Sequence, residues 1–156
     1  MADLSLPALL DAETEVVRLF IDLLQQEQSA LQAGDTDLLP AITDAKAPLT
    51  IRLNTLAIHR NQALATAGLP PDREGIETWL KRYPSPVMAK AWEALHVMIA
   101  EARELNELNG KLIILRMQHT TQALNVLMVA QRQTGMLYGP DGHSAQVSGR
   151  RIIDAA

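Results

Sequence analysis

From Leu9 to Leu31 apolar residues return every seven positions, at Leu10, Val17, Leu24 and Leu31, and Leu9, Val16, Phe20 and Leu23 fill the adjacent stripe. A heptad seam predicts a helix that packs along a partner helix. Ser5 stands where an N-terminal cap is wanted, Pro7 fits the first turn, and Gly34 supplies the left-handed residue that ends a helix. Asp3, Asp11, Glu13, Glu15, Asp22 and Glu27 read as an acidic outer face, against the single Arg18.

A second helical pattern starts at Asp35 or Thr36 and runs through Leu39, Ile42, Leu49, Leu53, Leu56 and Leu64 to Ala67, where Gly68 and Pro70-Pro71 stop it. Pro48 lies inside, which predicts a kink near residues 44–47 or a helix split in two. Asp72 to Arg82 predicts a short helix carrying Trp79 and Leu80, closed by Tyr83-Pro84-Ser85-Pro86. From Val87 the stripe Trp92, Leu95, Ile99, Ala102, Leu105, Leu108, Leu112, Leu115, Ala123, Val126 continues to about Arg132, interrupted only by Gly110.

At 1.5 Å per residue the last helix reaches roughly 70 Å and the first roughly 43 Å. Short connections make consecutive helices antiparallel. The excess length therefore falls at about Met117 to Gln133, whose apolar stripe is expected to lack a partner within the chain. After Thr134 the residues Gly135, Gly139, Pro140, Gly142, Ser144 and Ser148 break the helical period, so the tail is expected to be flexible. The predicted fold is all-α: an elongated, coiled-coil-like antiparallel bundle of three long helices with a short extra helix, occupying 1–134, and a flexible C-terminal tail at 135–156.

Composition narrows the function. A chain of 156 residues reads as one domain able to bury a core, and with no cysteine it has neither disulfides nor thiol chemistry. Aromatics are only 3% of residues, as in helix bundles. A net charge of -4 disfavours a nucleic-acid partner, which rewards basic patches. No apolar run approaches the ~20 residues of a membrane span, and an acidic residue stands near the N-terminus where a signal peptide has basic ones. A soluble, cytoplasmic protein without direct membrane insertion is expected.

Catalytic chemistry finds no constellation. His59, His96, His119 and His143 are scattered without metal-ligand spacing. His96 and His119 would be the phosphoacceptors if the bundle were a histidine phosphotransfer protein, but the next turn of neither supplies the basic and small residues that admit a receiver. Glu101, Glu104 and Glu107 line one side of a helix without a Glu-x-x-His pair and read as solvated surface. There is no nucleophile elbow or phosphate-binding loop. Neither an enzyme nor a cofactor or metal is expected. Asn106 and Asn109 fall near the inward stripe beside Gly110, where buried Asn sets helix register. Trp79 and Trp92 flank the proline corner and are expected to plug the bundle's end.

The part of the chain most suited to binding is the last helix together with the residues after it. Between its apolar residues lie Gln, Asn, Thr and Met, with no acidic residue from Lys111 to Pro140, so its surface can adapt to a partner helix. The candidate partner-binding residues are Leu115, Ala123, Val126, Leu127, Val129, Met136, Leu137 and Tyr138.

Asn109-Gly-Lys-Leu-Ile, the Gln-Ala-Leu-Asn-Val-Leu stretch at 122–127 and Tyr138-Gly-Pro-Asp-Gly142 together resemble the FlgN family of flagellar export chaperones. That resemblance implies a cytosolic helical chaperone that holds hook-filament junction proteins before type III export. It implies that the end of the last helix and the segment after it take up the C-terminal helical region of that cargo. It also implies that Tyr138 matches a family tyrosine implicated in docking to the cytosolic domain of the export gate. A homodimeric coiled-coil scaffold remains a rival from another class. Which junction protein is preferred, the free oligomeric state, whether the tail orders on binding and the role of 143–156 stay open at this level.

Overall fold

The computed structural model describes residues 5–137, with side chains described through Thr134. Helix α1 spans Leu6–Ala33, a single 3-10 turn spans Thr36–Leu38, α2 spans Leu39–Thr66, α3 spans Arg73–Arg82 and α4 spans Pro86–Leu137. The fold is all-α, with no strand among the described residues. The chain divides into two compact units, residues 1–113 and 114–156.

The first unit is built on the α1 seam. Leu10, Val17, Leu24 and Leu31 are all buried. Leu6, Leu10, Val17 and Ile21 form one cluster with Leu64, Leu69, Ile76, Trp92 and Leu95, while Leu9 and Val16 form a second with Leu56. Fully burying each such side chain contributes about 1.5–3 kcal/mol. Trp79 packs against the same cluster as Trp92, so both tryptophans close the corner around the prolines.

Local chemistry sets the helix ends. Ser5 occupies the N-cap position of α1, but its side chain makes no capping bond; its carbonyl accepts from the Leu9 amide at 3.0 Å. Gly34 is left-handed, with φ 76°, and its amide returns to the Ala30 carbonyl, as a C-terminal cap requires. Asp72 caps α3 by accepting from the Gly75 amide at 2.9 Å. Any side chain at Gly75 would force the backbone to move, since a Cβ would stand 1.9 Å from the Pro70 carbonyl oxygen.

Of the two outcomes open at Pro48 the split does not occur, since α2 remains one α-helix from Leu39 to Thr66. Two expectations are corrected. Glu13 and Glu27 do not belong to an acidic outer face: each is only 4% exposed. The inward stripe of α4 does not pass through Leu108 and Asn106, which are exposed, but through Asn109, which is buried.

Candidate partner-binding surface

Two ion pairs hold the first unit's helices in register. Counting from Leu10 as position a of a heptad, Glu13, Phe20 and Glu27 fall at position d, which faces a partner helix. A buried carboxylate demands a base. Arg60 Nη1 donates to both oxygens of Glu13 at 2.7 and 2.6 Å, and Lys46 Nζ donates to both oxygens of Glu27 at 2.9 and 3.0 Å. Glu13 and Glu27 stand two heptads apart on α1, and Lys46 and Arg60 stand two heptads apart on α2 in the opposite sense, the pattern of antiparallel helices. Burial pushes the Glu13 carboxyl above its usual range, and the Arg60 guanidinium offsets only part of that rise.

Asn109 adds α4 to this frame. It is 1% exposed, and its Nδ2 donates to the Leu24 carbonyl at 2.8 Å and to Glu27 Oε2 at 2.9 Å. Lys46, Glu27 and Asn109 thus form one polar rung across α2, α1 and α4. A half-turn of α4 would swing Asn109 away and take this donor from Glu27 Oε2 and the Leu24 carbonyl, so the rung favours one rotation of the helix.

The second unit, residues 114–156, has the opposite character. Every side chain from Met117 to Thr134 is exposed, including Val126 at 68%, Leu127 at 62% and Val129 at 53%. Leu115 and Ala123 are exposed as well, so five of the sequence-derived binding residues share one uncovered helical surface. Met136 and Leu137 end α4, but their side chains, together with Tyr138 and the tail, lie outside the described residues. The sequence stripe missed a further set. Ile114, Met117, Leu124 and Met128 are exposed on the opposite side of the same helix. Their heptad spacing with Thr121 is readable once counting restarts at Ile114. Residues 114–130 therefore expose apolar side chains on two sides of the helix, with Gln118, Gln122 and Asn125 forming a polar stripe between them.

The described histidines occupy unrelated places, and His143 lies outside the described residues. His59 and His119 are exposed. His96 is half-buried with its ring edge-on to Trp92 at 4.2 Å; burial, and then the charges of Arg73, Arg60 and Arg103, hold its imidazole below the usual range against the opposing Glu77. Among the described residues no helix is long and apolar enough to cross a membrane.

A family model described as FlgN protein matches residues 1–146. The chain belongs to the FlgN family. FlgN relatives run nearly its full length: a Yersinia enterocolitica flagella synthesis protein FlgN is 31% identical over 147 residues, covering 92% of each chain. The Salmonella typhimurium protein of the same name is 28% identical over 142 residues, covering 90% of each. No solved structure matches the chain. The FlgN match takes in residues 114–134 along with the first unit.

Proposed function

We propose that this FlgN-family protein is a cytoplasmic export chaperone. It binds unassembled hook-filament junction proteins and delivers them to the flagellar type III secretion gate without catalysing any covalent step. The observation that carries the reading is the uncovered apolar helix at 114–134, whose Leu115, Ala123, Val126, Leu127 and Val129 offer an adaptable face to the C-terminal helical region of a junction subunit. Helix-on-helix docking of this kind buries the partner's assembly-prone surface until export.

The polar rung at Asn109 supports the same reading, because it fixes the helix immediately before that face and so limits the ordering cost of binding. Tyr138 is assigned to the cytosolic domain of the gate: a tyrosine offers a flat apolar ring and one hydroxyl at low entropic cost, which suits brief docking.

Co-purification of the tagged full-length chain from the cytosol of motile cells, with the bound protein identified by mass spectrometry, tests the reading. A junction protein recovered with the native chain and lost with Val126→Asp supports it. Recovery of unrelated proteins only, or equal recovery with the variant, refutes it. Tyr138→Ala is expected to weaken binding to the gate's cytosolic domain while cargo affinity changes much less, and a parallel fall in both would move Tyr138 into the cargo site.

A further inference from the structure

The first unit has an uncovered surface of its own. An open groove of about 800 Å³ runs between the second half of α1 and the first half of α2, and α4 contributes none of its lining. Ala30 and Ile42 are buried along it, Leu23 is half-buried and Leu38 is 53% exposed. Ala33, Ala41 and Ala45 also line it and are too short to fill the space, so the channel is open to a ridge of larger side chains.

Charge narrows the occupant. From Leu19 to Ala45 the chain holds Asp22, Glu27, Asp35, Asp37 and Asp44 and no lysine, arginine or histidine. The chain's 18 acids and 14 bases give -4, so these five acids leave the remainder one charge positive: the negative charge is concentrated here. Asp22 and Asp35 line the groove, and Asp37 and Asp44 adjoin its lining residues Leu38 and Ala45 in the chain. Glu27 is held by Lys46, whereas none of the four aspartates makes an ion pair with a described residue. The bases that bracket the segment are engaged elsewhere, Arg18 with Glu15 at 2.8 Å and Lys46 with Glu27 at 2.9 Å.

We propose that this groove is a docking site for a basic amphipathic helix of another protein. Large aliphatic side chains along one edge of that helix seat over Ala30 and Ile42, and the lysines or arginines beside them answer the four aspartates. Two antiparallel helices leave a groove that a third helix fills lengthwise, and Asp22 to Ala33 offers it about 17 Å, three turns. Apolar burial supplies the affinity, while the unpaired aspartates select a basic helix and speed its arrival. A second copy of this chain answers the groove poorly, because its own uncovered face at Ile114, Met117, Leu124 and Met128 brings no base among those residues. The inference does not rest on the chaperone reading, since the groove lies wholly within the first unit and the assigned cargo face within the second.

The test uses the full-length chain without cargo and two synthetic helical peptides that share one leucine stripe, flanked by lysines in the first and by glutamates in the second. The lysine peptide is expected to bind about tenfold or more tighter than the glutamate peptide, with an affinity that falls as salt rises. Amide NMR shifts on titration are expected at Ala30, Ala33, Ala41, Ile42 and Ala45, and not at Val126 or Leu127. Reversing the lining charges with Asp22→Lys and Asp35→Lys together, or filling the channel with Ala41→Trp, is expected to weaken the lysine peptide about tenfold at unchanged helicity. Equal binding of the two peptides, shifts confined to 114–134, affinity within twofold in either variant, or self-association of the free chain that moves the groove amides without peptide would overturn the proposal.

Discussion

Asn109 donates to Glu27 Oε2 at 2.9 Å while Lys46 grips both oxygens of the same carboxylate, so a side chain on each of three helices shares one buried charge. Removing one partner leaves that charge exposed to the apolar interior, whereas removing the charge with its base leaves none. Lys46→Leu is therefore expected to destabilise the bundle by about 1–3 kcal/mol, and Glu27→Leu together with Lys46→Leu by less than Lys46→Leu alone. Urea unfolding of the two single variants and the double variant measures this. An additive double variant would mean that the pair is idle.

The two shifted titrations act in opposite senses. His96 is held below its ordinary 6.5, so the unfolded chain takes up the proton first on acidification and the fold loses stability from about 6.5 down to the lowered value. Glu13 is held above its ordinary 4.5, so the folded chain protonates first and stability falls as pH rises from 4.5 to the raised value. His96→Phe is expected to remove the first slope and Glu13→Gln the second, each read as the stability difference from the native chain across pH. A His96→Phe difference that is flat with pH would contradict the assignment.

Two glycines predict opposite results from one substitution. Gly110 lies inside α4 and a Cβ there meets nothing within 4 Å, so Gly110→Ala is expected to stabilise by about 0.5–1 kcal/mol. At Gly75 the Cβ would collide with the Pro70 carbonyl, so Gly75→Ala is expected to destabilise by about 1–3 kcal/mol as the Pro70-Pro71 turn gives way. Thermal unfolding of the pair checks both signs.

The helices are legible in the sequence because heptads and Gly/Pro punctuation act locally: Gly34 ends α1, the left-handed Gly68 closes α2 and Pro86 opens α4. The buried carboxylates are not, because the charge of Glu13 and Glu27 speaks for the surface while only their heptad position speaks for the interior. Their bases lie on another helix, where α1 periodicity cannot point to them. Asn109 is expected near the core, but its displacement of Leu108 from the inward line depends on the Glu27 oxygen waiting opposite. For the binding surface, Leu115, Val126, Leu127 and Val129 are readable from spacing and from the excess length of α4. The face at Met117, Leu124 and Met128 is not, because a single stripe carried forward from Leu112 runs through a helix that has two.

The central claim is that the exposed end of α4 holds the cargo. Burying a valine or leucine contributes about 1.5–3 kcal/mol, so replacing Val126 and Leu127 by Asp removes more than one such term and weakens binding by roughly a hundredfold or more. Calorimetric titration of the native chain and of the Val126→Asp, Leu127→Asp variant with the C-terminal helical region of a junction protein, alongside circular dichroism, decides it. The account predicts that loss of affinity with helicity and unfolding midpoint unchanged, since both side chains lie outside the core. Affinity within twofold of the native chain, at equal helicity, would contradict it.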